Sequence, residues 1–387
     1  MKKIYLDNAA TTQVDPRVYE VMKPFISEKF GNPSSIHSYG RETRAALDES
    51  RDKLAKLLGA KSSEIFFTSS GTEATNFALK GVSSKMRREG KYHIITCKAE
   101  HHATLETCEY LEGKGFHVSY LDVDGYGMIN PDDVYETITP ETALISLILA
   151  NNEVGTINPI SEMVAIAKRN QIIFHTDAVQ AFGKIPVNVD ELGIDLLSLS
   201  AHKIYGPKGI GLLYVRQGVE IEKFIHGGGQ ERGKRAGTEN IAYAVGFAKA
   251  ADLICENRKS ENLRMREMKK NMSEMLVERF PYIFINGHPT ESLQNILSIS
   301  FDSQKINIDG EALLMSLDLA GIAVSSGSAC TSGSIKPSHV LMAMGRDEDT
   351  SQATIRFSFG RATTKEDIEY TVAVLEEIVN RIGKIIK

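Results

Sequence analysis

Hydrophobic and polar positions along this chain switch between two periods. Six short apolar runs read as strands buried on both faces: Ile65-Phe66-Phe67-Thr68, Tyr92-His93-Ile94-Ile95-Thr96, Ala143 to Leu149, Ile172-Ile173-Phe174-His175, Leu196 to Ser200 and Gly211 to Val215. Between most of them lie segments with apolar residues three and four apart, at 73–81, 104–111 and 160–168, which read as helices. The alternation predicts an α/β fold, a large domain with a mostly parallel sheet covered by helices. From Glu256 to about Phe280 the chain becomes strongly charged, with Leu263, Met268, Met272, Leu276 and Phe280 at near-helical spacing. This predicts one long surface helix at the junction to a smaller α+β domain. The expected division is 15–255 for the large domain, with 1–14 and 256–387 forming the small one. Strands at 295–301 and 354–358 and a closing helix from Lys365 would belong to the latter.

Composition narrows the class. The 387 residues, 42% of them hydrophobic, suffice for a large core and two domains. The net charge of −5 comes from interspersed charges of both signs, without the basic stripe a nucleic-acid partner needs. No apolar run reaches membrane-spanning length, and the first residues lack the pattern of a signal peptide. Cys97, Cys108, Cys255 and Cys330 form no C-x-x-C pair, which argues against a disulfide framework or a zinc ribbon and fits a reducing cytoplasm. No resident metal is expected.

In sheets of this kind ligands sit beyond the carboxyl ends of the strands, so the residues just past each strand carry the chemistry. After Thr68 come Ser69-Ser70-Gly71-Thr72-Glu73 and a helix, small residues that let backbone N–H groups meet an anion. An ordinary N-cap by Ser70 or Thr72 explains the same residues. Glu100-His101-His102-Ala103 enters the next helix; at most one of the adjacent histidines can lie against an aromatic ligand or serve as acid and base, and a surface pair is the alternative. Asn151-Asn152-Glu153-Val154-Gly155 is turn chemistry on the same rim.

Asp177 ends an apolar strand, where burial is costly without a cation nearby. Lys203 leaves another such strand, well placed for a depressed pKa and bonding to a carbonyl. A carboxylate for a pyridinium nitrogen and a lysine for an aldehyde are the two groups that pyridoxal phosphate requires. The rival lysines, Lys184 and Lys208, lie in turns and are expected to be solvated. Gly228 to Lys234 satisfies G-x-x-x-x-G-K, yet Arg235 stands where a nucleotide-binding loop needs Ser or Thr; Arg232 and Arg235 could still offer donors to a phosphate. Cys330 sits among tiny polar residues, Ser325 to Ser334, which suits a thiol that travels to its substrate. The other three cysteines read as inert. Arg356 and Arg361 flank Phe357-Ser358-Phe359, and either guanidinium could grip a carboxylate.

Taken together these segments resemble the cysteine desulfurases of the NifS/IscS type, in the class V aminotransferase group of fold-type I pyridoxal-phosphate enzymes. The motifs that carry it run nearly end to end: Leu6-Asp7-Asn8-Ala9-Ala10-Thr11-Thr12, Gly31-Asn32-Pro33-Ser34-Ser35, Gly71-Thr72-Glu73, Glu100-His101, Asn151-Asn152-Glu153, Thr176-Asp177-Ala178-Val179-Gln180, Ser200-Ala201-His202-Lys203, Gly237-Thr238 and Ser325 to Ser332. The resemblance implies that Lys203 carries pyridoxal 5'-phosphate, that His101 stacks on its ring and that Asp177 pairs with its nitrogen. Asn152 and Gln180 would flank the ring. Gly71, Thr72, Ser200 and His202 would bind phosphate, joined by Thr238 from the second subunit of a homodimer. Arg356, assisted by Asn152, would hold the carboxylate of L-cysteine. Cys330 would take the sulfur as a persulfide, releasing L-alanine, for delivery to an iron–sulfur scaffold or a thiolation enzyme. Whether Cys330 also ligates an iron–sulfur cluster in transit stays open. So does the acceptor, because the chain ends at Lys387 without the C-terminal extension of housekeeping relatives. A selenocysteine lyase or class V aminotransferase on the same fold, and a non-enzymatic partner or nucleotide-binding protein, are the alternatives.

Overall fold

Seven strands build the central sheet: β1 (Ile65–Thr68), β2 (His93–Cys97), β3 (His117–Leu121), β4 (Thr142–Ser146), β5 (Ile173–Asp177), β6 (Leu196–Ser200) and β7 (Gly211–Val215). The computed structural model describes residues 2–326 and 336–386. Cys330 therefore lies outside the described residues. Across the sheet the order is β1-β7-β6-β5-β4-β2-β3. β7 is antiparallel to both its neighbours, and the other pairings are parallel. The remaining six strands thus point one way and end on a common rim.

Period-two burial explains why these runs are strands. Phe66, Ile94, Leu144, Leu196 and Leu213 pack on one face with Phe77 of the helix Gly71–Arg87 and Leu111 of the helix His102–Glu112. Their neighbours Phe67, Ile95, Ile145, Leu197 and Leu212 pack on the other with Leu47, Leu54 and Phe247. Each such side chain contributes about 1.5–3 kcal/mol by leaving water. A buried imidazole also bridges three strands. His175 on β5 meets Ser146 Oγ on β4 at 2.8 Å and Ser198 Oγ on β6 at 2.9 Å, and burial pushes its pKa down to about 3.

A second core holds Leu6, Leu276, Phe280, Ile299, Phe301, Leu313, Phe357 and Leu375. It surrounds the antiparallel sheet β8 (Ile283–Asn286), β9 (Ile296–Phe301) and β10 (Thr354–Ser358), in the order β10-β9-β8. Ile4 and Tyr5 join this region by pairing with Ile322 and Ala323.

The long helix starts earlier than its charge pattern predicts, running Ile241–Arg279. Its first part is an Ala-rich stretch buried on most sides, including Ala244, Phe247, Ala248 and Ala251, and so carries no polar stripe. Ile254 still packs in the first core, whereas Met265 belongs to the second. The strand β3 and the helices Pro16–Ser27 and Ser38–Leu58 were not expected. β3 is a sheet edge with only Leu121 buried, and the buried face of Ser38–Leu58 carries Thr43, Ser50 and Arg51 where apolar residues would have signalled it.

Candidate active site

The rim is laced to the N-terminal segment. Past β6 the chain turns at Ala201–Lys203, then passes through Tyr205, a non-glycine residue at φ 66°. That strained conformation is held on several sides. Tyr205 N donates to Thr12 Oγ1 at 2.7 Å, its hydroxyl accepts from Arg361 N at 3.0 Å, and the His202 carbonyl accepts from Thr12 Oγ1 at 2.8 Å. Lys203 is fixed by the same segment, donating Nζ to the carbonyls of Ala9 at 2.6 Å and Ala10 at 2.7 Å. Burial and the Arg356 charge bring its pKa down to about 8, against Asp7 and Asp177.

Asp177, at the end of β5, lines the same cavity and is 6% exposed. Burial pushes its carboxyl up to about 6, opposed by the hydrogen bond that Oδ1 accepts from Val179 N at 2.9 Å and by Lys203. It remains ionised at neutral pH. Glu100 lies behind, 1% exposed, and burial drives it up to about 8. Its Oε1 accepts from Ile148 N at 2.6 Å. With the Asp177 charge raising it further, Glu100 keeps its proton near pH 7.

The histidine pair separates. His101 caps its helix, with Nδ1 accepting from Ala103 N at 3.0 Å. Burial first, then Lys203 and the histidines His102 and His339, lower its pKa to about 4, so the ring is neutral and that bond leaves its proton on Nε2. His102 points outward instead, its ring 4.7 Å from that of His339.

Between β1 and the helix Gly71–Arg87, Ser70 acts as the N-cap, its hydroxyl accepting from Glu73 N at 3.0 Å. The cap reading is right for Ser70, and it leaves Gly71 and Thr72 at the positive end of the helix on the cavity wall. The packing there is close: a Cβ on Gly211 would stand 2.3 Å from the Ser70 carbonyl carbon, and one on Gly71 would stand 2.9 Å from Val179 Cγ2.

The far end of the cavity belongs to Arg356 on β10, 4% exposed. Its Nη1 donates to the Asn152 carbonyl and its Nη2 to Asp7 Oδ1, both at 2.9 Å. Its Nε, Asn152 Oδ1 and Ser325 Oγ are buried without a partner among the described residues. Arg361 has a different fate. It pairs with Asp15 Oδ2 at 2.8 Å and lies 4.3 Å over the Tyr205 ring, which makes it structural.

One cavity of about 500 Å³ gathers Gly71, Thr72, His101, Asn152, Asp177, Gln180, Ser200, His202, Lys203 and Arg356, with Asp7, Ser325 and Ser326. Thr238 is not on its wall; it lines a separate hollow with Ser69 and Gly209. Two expectations need correction. Lys184 is half-buried and engaged within the protein: it donates to Gln180 Oε1 at 2.9 Å and to the Gln180 carbonyl at 3.0 Å, and burial lowers its pKa to about 7. Arg232 and Arg235 are spent within the protein, on the Ser62 carbonyl and on Glu73. Gly228 to Lys234 contains only the single turn Glu231–Gly233, no helix begins at Lys234, and Lys234 Nζ donates to the Ile221 carbonyl, so it cradles no nucleotide. Cys97 and Cys108 are fully buried and their thiols are pushed up by burial. Among the described residues no cluster of three or more His, Cys, Asp or Glu side chains could hold a metal.

Asp7, Glu100 and Ser325 escaped individual assignment. Each lies inside a segment singled out for a neighbour. The only signal was position beside a strand end.

These groups fit an aromatic aldehyde phosphate. An amine and a carboxylate from adjacent strands face one cavity, a helix N-terminus with small residues stands at one end, and the unpartnered Asn152 Oδ1 and Arg356 Nε stand at the other. A model of the family described as aminotransferase class-V matches residues 4–371. A cysteine desulfurase IscS from Dictyoglomus turgidum is 51% identical over 384 residues, covering 99% of this chain and 96% of that relative. A solved NifS-like protein superposes with a TM-score of 0.92 at 40% identity, covering 98% of this chain and all of the other. A structure titled SspA in complex with cysteine superposes at 0.81 and 38% identity, covering 92% of this chain and 99% of that one.

Proposed function

Because this chain belongs to the class-V aminotransferase family and is a cysteine desulfurase, we propose that Lys203 holds pyridoxal 5'-phosphate in the cavity and that Cys330 receives the sulfur of L-cysteine. Bound there, the cofactor supplies an electron sink for the carbanion left when substrate Cα loses its proton. Lys203, its pKa brought down to about 8, moves that proton. Asp177 stays ionised to pair with the ring nitrogen, and protonated Glu100 spares it a second buried anion. His101 lies against the ring and offers its Nε2 proton. Gln180, with its amide oriented by Lys184, and Asn152 flank the ring. Gly71, Thr72, Ser200 and His202 take the phosphate, together with Thr238 of the partner subunit in a homodimer.

Arg356 and Asn152 hold the substrate carboxylate. The Cys330 thiolate then attacks the substrate sulfur: an S–S bond forms, the C–S bond breaks, and its electron pair stays on carbon. Two protons complete L-alanine, the one Lys203 took from Cα and the one the Cys330 thiol gave up on ionising, passed on through His101, and the sulfur remains on Cys330 as a persulfide. An iron–sulfur scaffold or a thiolation enzyme in the cytoplasm would accept it; among the described residues no helix is long and apolar enough to cross a membrane.

The observation that carries this reading is the approach of Lys203 and Asp177 to one cavity from adjacent strands. Incubation with L-cysteine and a reductant should release alanine and sulfide in equal amounts. Cys330→Ala should keep the cofactor spectrum and stop turnover. Full turnover in that variant would remove Cys330 from the mechanism.

A further inference from the structure

Arg356 faces the cavity already paired. Nη2 donates one hydrogen to Asp7 and Nη1 one to the Asn152 carbonyl, while Nε, itself buried, has no acceptor among the described residues. A carboxylate that binds a guanidinium side-on uses Nε together with the Nη on the same edge, and Nη2 is that group. An incoming α-carboxylate therefore meets the Asp7 carboxylate across a single, nearly buried cation. Two anions sharing one guanidinium away from bulk water repel each other.

We propose that Asp7 is a positioning residue, a counter-ion that holds Arg356 between turnovers and limits how tightly any α-carboxylate is retained there. This rests on the reading of Arg356 as the substrate's carboxylate partner. L-Cysteine and L-alanine carry the same α-carboxylate, so a site that gripped that group with both donors free would keep its product. With Asp7 beside it, the departing carboxylate leaves behind a guanidinium that is still charge-compensated, not a buried cation stripped of its partner. Asp7 acts on Lys203 as well, since its charge supports the Lys203 ammonium against burial and against Arg356. Its backbone is anchored apart from its side chain: the carbonyl accepts from Ala10 N at 3.1 Å, and the residue bridges to Ser358. An isosteric change therefore addresses the charge alone.

Asp7→Asn keeps an acceptor oxygen for Nη2 and removes the negative charge. Calorimetric titration of the holoenzyme with L-alanine, which cannot be desulfurated, should show binding roughly tenfold tighter than in the parent protein. Alaninamide, without the carboxylate, should gain nothing. In turnover the KM for L-cysteine should fall and alanine inhibition should strengthen. Should a lowered melting temperature obscure this variant, Asp7→Ser removes the same charge and should move alanine affinity the same way. Alanine affinity that is unchanged or weaker in both variants, while the parent binds alanine, overturns the proposal and leaves Arg356 in its role. A parent protein whose alanine affinity does not respond to Arg356→Gln would instead remove the reading beneath it.

Discussion

The two ends of the cavity are built to different degrees of completion. At the ring end the charged or titratable groups on the cavity wall are already held, and the unpartnered oxygen nearby, Glu100 Oε2, lies behind Asp177 and off the wall. Lys203 has two carbonyls, Asp177 has an amide, His101 has the first turn of its helix, and Gln180 is tied to Lys184 on one side and to the Ala9 carbonyl on the other. At the carboxylate end Arg356 Nε, Asn152 Oδ1 and Ser325 Oγ have none among the described residues. A buried polar atom without a partner costs about 1–3 kcal/mol, and a ligand that supplies the partner recovers it. The ring end is thus suited to a permanent resident and the other end to a passing one. The two ends also differ in origin: the first comes mainly from the rim of the parallel sheet, and the second joins Asn152 of that rim to Arg356 of β10 and to Ser325.

That contrast sets the order of expected effects. The largest belongs to Lys203→Ala, which should lower kcat by at least about a thousandfold, within the range general acid–base catalysis supplies, and abolish the cofactor's absorbance band. Activity within tenfold of the parent would break the assignment of the ring end. Next, Arg356→Gln should raise the KM for L-cysteine by roughly a hundredfold with kcat changed far less, as loss of a charged anchor implies. Arg361→Gln, five residues along the same chain, should leave KM alone and lower stability by about 1–2 kcal/mol in a denaturant titration. Equal effects of the two on KM would erase the distinction drawn between them.

A smaller effect is expected at Gly211→Ala, where the added Cβ would press on the Ser70 carbonyl and shift the turn to which we assign the phosphate. Cofactor affinity, measured by reconstitution of the apoprotein, should fall by about tenfold with KM for cysteine little changed. The smallest effect concerns His175. Its folded pKa, about 3, lies below the ordinary 6.5, so the unfolded chain binds more protons between those values. Its contribution to stability is complete above pH 6.5 and is lost as pH falls toward 3. His175→Gln keeps hydrogen-bonding capacity toward Ser146 and Ser198 without the titration. Melting curves of the variant should therefore decline less between about pH 6.5 and 4 than those of the parent.

Much of the cavity wall that we assign to the ring was legible in the sequence because strand-end positions carry it. Asp177 and Lys203 come after apolar runs that could only be strands, and a charge placed there is conspicuous. Lys184 was misread because turn position suggests solvent, whereas this turn folds back under Gln180. The carboxylate end was harder to read. Nothing local separates Arg356 from Arg361; Asp15 and Tyr205, far away in sequence, decide which of them is structural. Glu100 carried no signal beyond adjacency to His101, since its protonation depends on burial behind Asp177. The helix Ser38–Leu58 stayed hidden because its buried face includes Arg51, whose partner Glu231 lies 2.7 Å away across the fold.

The account turns on which amine carries the cofactor. Borohydride reduction of the coloured holoenzyme, then proteolysis and mass spectrometry, locates that bond directly. The pyridoxyl mass should appear on the peptide containing Lys203. Its appearance on Lys184 or Lys208, with Lys203 unmodified, would contradict the account.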